Sequence, residues 1–148
     1  MNHSPAYIMA QYFIEEGLLT DPSSSGDWPV FVGILPDDNI LDLDHDIAAC
    51  IDTASVKDGR IFEDGENIFH YGFQILIRAT NYNTGYQKAQ ELADTLELID
   101  RDTVIISSTT YRLDNVTQTT GVVVLGQEEG SKRRELFSIN FLVTLKEI

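Results

Sequence analysis

Tyr71, Phe73, Ile75, Ile77 and Ala79 alternate with Gly72, Gln74, Leu76, Arg78 and Thr80. A period of two makes this a strand with one apolar and one mixed face. The polar run "NYNTG" interrupts it, and Asn83 or Thr84 can cap a helix running to about Ile99. Tyr86, Ala89, Ala93 and Leu96 share one face of that helix, with Leu92 and Ile99 alongside. Gln87, Lys88, Glu91, Asp94 and Thr95 cover the other face. The same alternation recurs near the end of the chain. There Phe137, Ile139, Phe141, Val143 and Leu145 interleave with Ser138, Asn140, Leu142, Thr144 and Lys146.

The remaining segments fit around these three. "SPAYIMAQYFIEEGLL" predicts an N-terminal helix, with Ser4 as its cap, Pro5 at its first position and Gly17 as its stop. Its apolar face is wide, so one side must pack against something. Val30 to Leu35 reads as a β-branched strand that opens after Pro29. "IAACIDTA" is a further strand, followed by a hairpin-like loop, Ser55 to Asn67, that carries two acid–glycine turns. "TVIISS", "TTYRLDNV" and "TGVVVLGQEE" read as strands. No fixed-period repeat and no second-domain boundary interrupt the order. The pattern predicts an α+β fold, a largely antiparallel sheet packed against two main helices, in one domain over residues 1–148.

Charge changes the picture. With 24 acidic and 10 basic residues the formal net charge is −14, which argues against a nucleic-acid clamp. DNA could pass close by without sticking. Cys50 is the single cysteine and lies in an apolar segment, so it reads as a small buried hydrophobe. No apolar run approaches the ~20 residues of a membrane span, and the N-terminus lacks the basic flank of a signal peptide. The expectation is a soluble protein made in a reducing cytoplasm.

Little chemistry is positioned along the chain. Asp37, Asp38, Asp42, Asp44, His45 and Asp46 could hold a divalent cation, but Ile40, Leu41 and Leu43 interrupt the run and no glycine turn closes it. A solvated loop is the favoured reading. His3 lies near a loose terminus and His70 at a strand entry where a surface position is the default. No nucleophile–base pairing and no phosphate-binding glycine motif is present, so neither an enzyme nor a cofactor is expected. Lys132, Arg133 and Arg134 form the one dense basic spot. They read either as a hairpin flank that keeps an edge strand soluble or as a docking point for an acidic neighbour.

The chain carries a strand ending in Arg78-Ala79, a short turn with an aromatic, and the helix Tyr86-x-x-Ala89-x-x-x-Ala93-x-x-Leu96. It then closes on a basic stretch feeding the strand Phe137-Ser138-x-Asn140-Phe141. This combination resembles the minor capsid and tail-terminator proteins of long-tailed bacteriophages. In them an N-terminal helix, an acidic Pro-Asp segment (here "LPDDNILDL"), the Arg-Ala strand, a helix and the final strand follow in this order. Residues 107–127 carry no matching motif. The resemblance implies a tail-terminator-like domain that forms a ring, usually of six copies, on the last ring of the tail tube protein. Such a ring ends tube polymerisation and offers its other face to head-completion or stopper proteins. It is a virion component of the tail and neck, assembled in the host cytoplasm.

Under that resemblance, Arg78 could pair with an acidic residue of the next subunit, against the plainer reading of a solvated arginine. The loop Ser55–Asn67, with Lys57 and Arg60, could reach an axial partner, against the plainer reading of an unconstrained hairpin. Lys132, Arg133 and Arg134 could dock on an acidic copy. The channel would pass DNA without sequence-specific binding, and no membrane is involved. A head-completion or stopper protein is the nearest alternative. A small metal-dependent enzyme using the acidic run and His45, or a binding module with no viral role, are readings of other classes.

Overall fold

The computed structural model describes residues 1–36, 46–62, 65, 67–128 and 134–148. Its first helix, α1 (Pro5–Glu15), starts where the sequence places it. The Ser4 hydroxyl accepts from the Tyr7 amide at 3.2 Å, and Pro5 occupies a position whose N–H would be unpaired anyway. A carboxylate helps from a distance: the Ala6 amide donates to Asp52 Oδ1 at 2.9 Å, tying the helix start to the sheet. The helix ends as Gly17 takes a φ of 75°. Ala6, Ile8, Met9, Ala10, Tyr12 and Phe13 face the core.

The second helix, α2 (Tyr82–Glu97), begins earlier than the sequence suggests. Asn81 is the cap: its backbone is extended, and its side-chain oxygen accepts from Asn83 at 2.9 Å and Thr84 at 3.3 Å. The buried face is Gly85, Ala89, Leu92, Ala93 and Leu96. Tyr86, expected on that face, is 42% exposed. The reason is the close approach at Gly85, where a Cβ would stand 2.5 Å from Phe137 Cε2 and 2.8 Å from Ala79 Cβ. The helix can sit this low only with a glycine beneath it, which pushes the neighbouring tyrosine outward.

Among the described residues seven strands form the sheet: β1 (Val30–Val32), β2 (Ile47–Ile61), β3 (Asn67–Ala79), β4 (Asp102–Ile106), β5 (Thr109–Gln118), β6 (Val123–Gln127) and β7 (Glu135–Glu147). Their order is β1-β2-β3-β7-β5-β4, with β6 also on β7. Of these strand pairs β1–β2 is parallel and the rest antiparallel, so the sheet is largely antiparallel and the fold is α+β, with two helices among the described residues. β7 is the hub. It pairs with β3 along one side, and on the other with β5 over its C-terminal half and β6 over its N-terminal half. Successive partners across the sheet give a row Val30, Ala48, Ile77, Phe137, Val124. The alternating residues of β3 and β7 fill the space between sheet and helices, and Phe73 stacks on Phe141 with centroids 5.1 Å apart.

Two segments differ from expectation. β1 stops at Val32 rather than Leu35 because Gly33 turns with φ of 88°. Of the expected loop Ser55–Asn67, the part up to Ile61 is strand: β2 continues to Ile61, paired with β3, which starts at Asn67. The register slips between Thr53 and Val56 and again between Lys57 and Ile61. These irregularities absorb Asp58-Gly59 inside the strand, where a turn was expected. Gly72 faces the first of them, and a Cβ there would run into the Ala54 carbonyl.

Candidate assembly surfaces

Most described residues of the outer half of β2, from Thr53 to Ile61, are exposed, so the β2–β3 hairpin forms an arm beyond the core. Lys57 lies on it, exposed. Arg60 is 77% exposed at its side chain, yet it is held by Asp58 in a two-point contact at 3.1 Å and 2.7 Å. The Arg60 side chain, then His70, then the Arg60 amide hold the Asp58 carboxyl well below the usual carboxylate range. A carboxylate only accepts, so His70 Nε2 carries the proton it donates to Asp58 at 2.9 Å. His70 Nδ1 lies 2.7 Å from the Thr144 hydroxyl, which links the arm to β7. The histidine expected at the surface is therefore the middle of a chain of contacts. The arm tip is gripped too: the Phe62 ring lies 5.1 Å from Lys146 Nζ and 5.9 Å from the Arg112 guanidinium carbon.

Arg78 is not a solvated strand end. It is 2% exposed, its Nη1 donates to the Pro36 carbonyl at 2.6 Å, and it lies 3.6 Å from Glu128 Oε2. Arg134 is 4% exposed, and its carbonyl accepts from the Glu128 amide at 2.6 Å. Both arginines thus sit inside one copy, at the end of the sheet where β6 turns toward β7. Strand alternation could not separate a buried cation from a solvated one, because both occupy the mixed face. Lys132 and Arg133 lie outside the described residues, as does the acidic run from Asp37 to His45. Asp46, at its end, accepts from the Thr80 amide at 2.7 Å.

His3, expected at a loose terminus, is anchored: its Nδ1 lies 2.6 Å from the Tyr111 hydroxyl and its ring stacks on Tyr7. Cys50 is fully buried, and that burial pushes its thiol up to about 12. Among the described residues no three His, Cys, Asp or Glu side chains gather as metal ligands.

One surface has no counterpart in the sequence reading. β4 covers β5 only as far as Leu113, so the outer side of β5 beyond that point and of β6 carries no strand among the described residues. Val123, Val124 and Leu125 are exposed there by 41%, 43% and 53%. Beside them the Tyr82 and Tyr86 rings stack, 6.5 Å apart, and both stand edge-on to Phe137, the cross-strand partner of Val124. The chance to see it lay in "GVVVLG", three valines and a leucine with no charge to guard an edge.

The arrangement offers strand edges, an arm and aromatic contact area. A search of curated proteins gave no match. A family model described as "Bacteriophage tail terminator protein" matches residues 12–147, from within α1 to the end of β7, and the chain belongs to that family.

Proposed function

We propose that this chain, a structural protein of a phage tail and a component of the virion, closes into a ring, six copies in the simplest case, at the head-proximal end of the tail tube. There it ends tube polymerisation and joins the tail to the head-completion proteins. The observation that carries this reading is the family match over nearly the whole chain. The physics supports it. A ring needs a heterologous contact that closes by rotation, and open strand edges together with a hairpin arm can supply one. A net charge of −14 per copy favours a channel wall to which DNA does not adhere. In this reading the protein works by shape, uses no cofactor, and is added to the tube in the host cytoplasm.

The test adds the purified protein to growing tail tubes and measures tube length with and without it by electron microscopy. Tubes that stop lengthening and carry a ring at one end are the expected result. Tubes that lengthen unchanged overturn the reading. Binding to DNA-filled heads with no affinity for tubes would assign the protein to the neck as a stopper instead.

A further inference from the structure

The row Val30, Ala48, Ile77, Phe137 is buried on the core face, at 3%, 0%, 0% and 0% exposure, but its last member, Val124, is 43% exposed. The core therefore runs out to the surface at β6, where one more strand would finish it. At the other end of the sheet β1 has an open edge past the end of this row. Thr20 covers β1 as far as Pro29 and Val30. Beyond that, Val32 and Ile34 are exposed by 38% and 66%, with no strand outside them among the described residues. Residues 30–35 and 121–126 contain no charged side chain.

These facts bear on how copies of a strongly acidic chain can meet. Two copies at −14 each repel, so their contact favours surfaces that carry no charge. The two exposed, charge-free edges lie on opposite ends of one sheet, about 19 Å apart at ~4.8 Å per strand spacing. Two different edges at opposite ends make a head-to-tail contact, whereas one edge meeting itself would stop at a dimer. β1 and β7 both run parallel to β2, and β6 runs antiparallel to β7. Joining β1 of one copy to β6 of the next therefore gives an antiparallel pair.

We infer that the β6 edge, with Tyr82 and Tyr86 beside it, receives the Val32–Leu35 segment of a second copy, so that the sheet continues from subunit to subunit. This rests on the ring reading above and adds the surfaces that meet. Backbone pairing supplies the strand edge with partners, and Val32 and Ile34 cover Val124 and the exposed tyrosine faces.

The test combines Val32→Cys with Val123→Cys, Val124→Cys or Leu125→Cys in turn, in the full chain. Directly opposite residues of an antiparallel pair have Cα atoms roughly 4.5–5.5 Å apart, within the range a disulfide spans. Cys50 is fully buried and stays out of the reaction. Each variant is oxidised with and without tail tubes and run on a non-reducing gel. The expected result is a ladder at multiples of 16.6 kDa from at least one double variant, and no dimer from any single variant. Adding Val124→Lys to the Val32→Cys, Leu125→Cys variant abolishes the ladder and leaves the circular dichroism spectrum unchanged. A dimer from Val124→Cys alone shows β6 meeting β6 and overturns the inference. Tubes capped by these variants with no ladder also overturn it, while leaving the terminator reading intact. If the wild-type chain fails to cap tubes, that reading falls, and the ladder without tubes decides the edge contact either way.

Discussion

Asp58 accepts from the Arg60 side chain, from His70 and from the Arg60 amide, so protonating it breaks a chain of contacts that reaches Thr144. Its folded-state pKa lies below the unfolded value of about 3.9, so its contribution is fully present above about pH 5 and is lost as pH falls through about 4 and lower. Asp58→Asn should lower the melting temperature at pH 7, and the gap to the wild type should narrow progressively as pH falls below about 4. A gap of the same size at pH 3 would show that Asp58 does not hold the arm through its charge. Gly85 makes a different kind of point. Alanine improves helix propensity by about 1 kcal/mol, but its methyl would overlap the Phe137 ring and Ala79. Overpacking of a tight core costs about 1–3 kcal/mol, so after that gain Gly85→Ala should destabilise by up to about 2 kcal/mol in urea unfolding. A stabilised variant would mean that α2 can lift from the sheet at no cost.

At the scale of elements, the start of α2 gives a sharp comparison. Asn81→Ala should cost about 1 kcal/mol, a fall of about 2–4 °C in melting temperature. Thr84→Ala, at the position the sequence offered as a cap, should leave the melting temperature at the wild-type value. The arm is the other element with a prediction of its own. Lys57→Glu together with Arg60→Glu sets an acid where Arg60 pairs with Asp58 and reverses the exposed charge beside it. Tube capping by this variant should weaken, and capping at the wild-type level would remove the arm from the docking surface. Periodicity made much of this legible. Both helices and the alternating faces of β3 and β7 follow from where Phe73, Ile75, Phe137 and Phe141 fall. The arm was illegible because Asp58-Gly59 is turn chemistry by composition, and only a paired neighbour such as β3 turns it into a strand irregularity. Arg78 was illegible because its partners, Pro36 and Glu128, are far away in sequence. Lys57 and Arg60 were placed on an exposed loop by its acid–glycine turns; they are exposed, but on a strand.

For the whole molecule, charge sets the terms of assembly. Exposed like charges repel over about a Debye length, ~10 Å at 0.1 M salt, and added salt shortens that reach. If copies meet through uncharged strand edges, raising sodium chloride from 50 to 500 mM should increase the assembled fraction on tail tubes, measured by sedimentation. A decrease would mean that ion pairs dominate, with Lys132 and Arg133 docking on an acidic neighbour as the sequence first suggested.

The place of β7 at the centre of the sheet has a consequence for synthesis. β3, β5 and β6 all pair with residues 135–147, so while the ribosome is still making those residues the β2–β3 and β4–β5 hairpins have no common partner to join them. The sheet must wait for the last strand to emerge and then close around it. A message broken before codon 135 would yield a chain with exposed strands and no native sheet. Such a fragment would lack the strand that joins the two halves of the sheet.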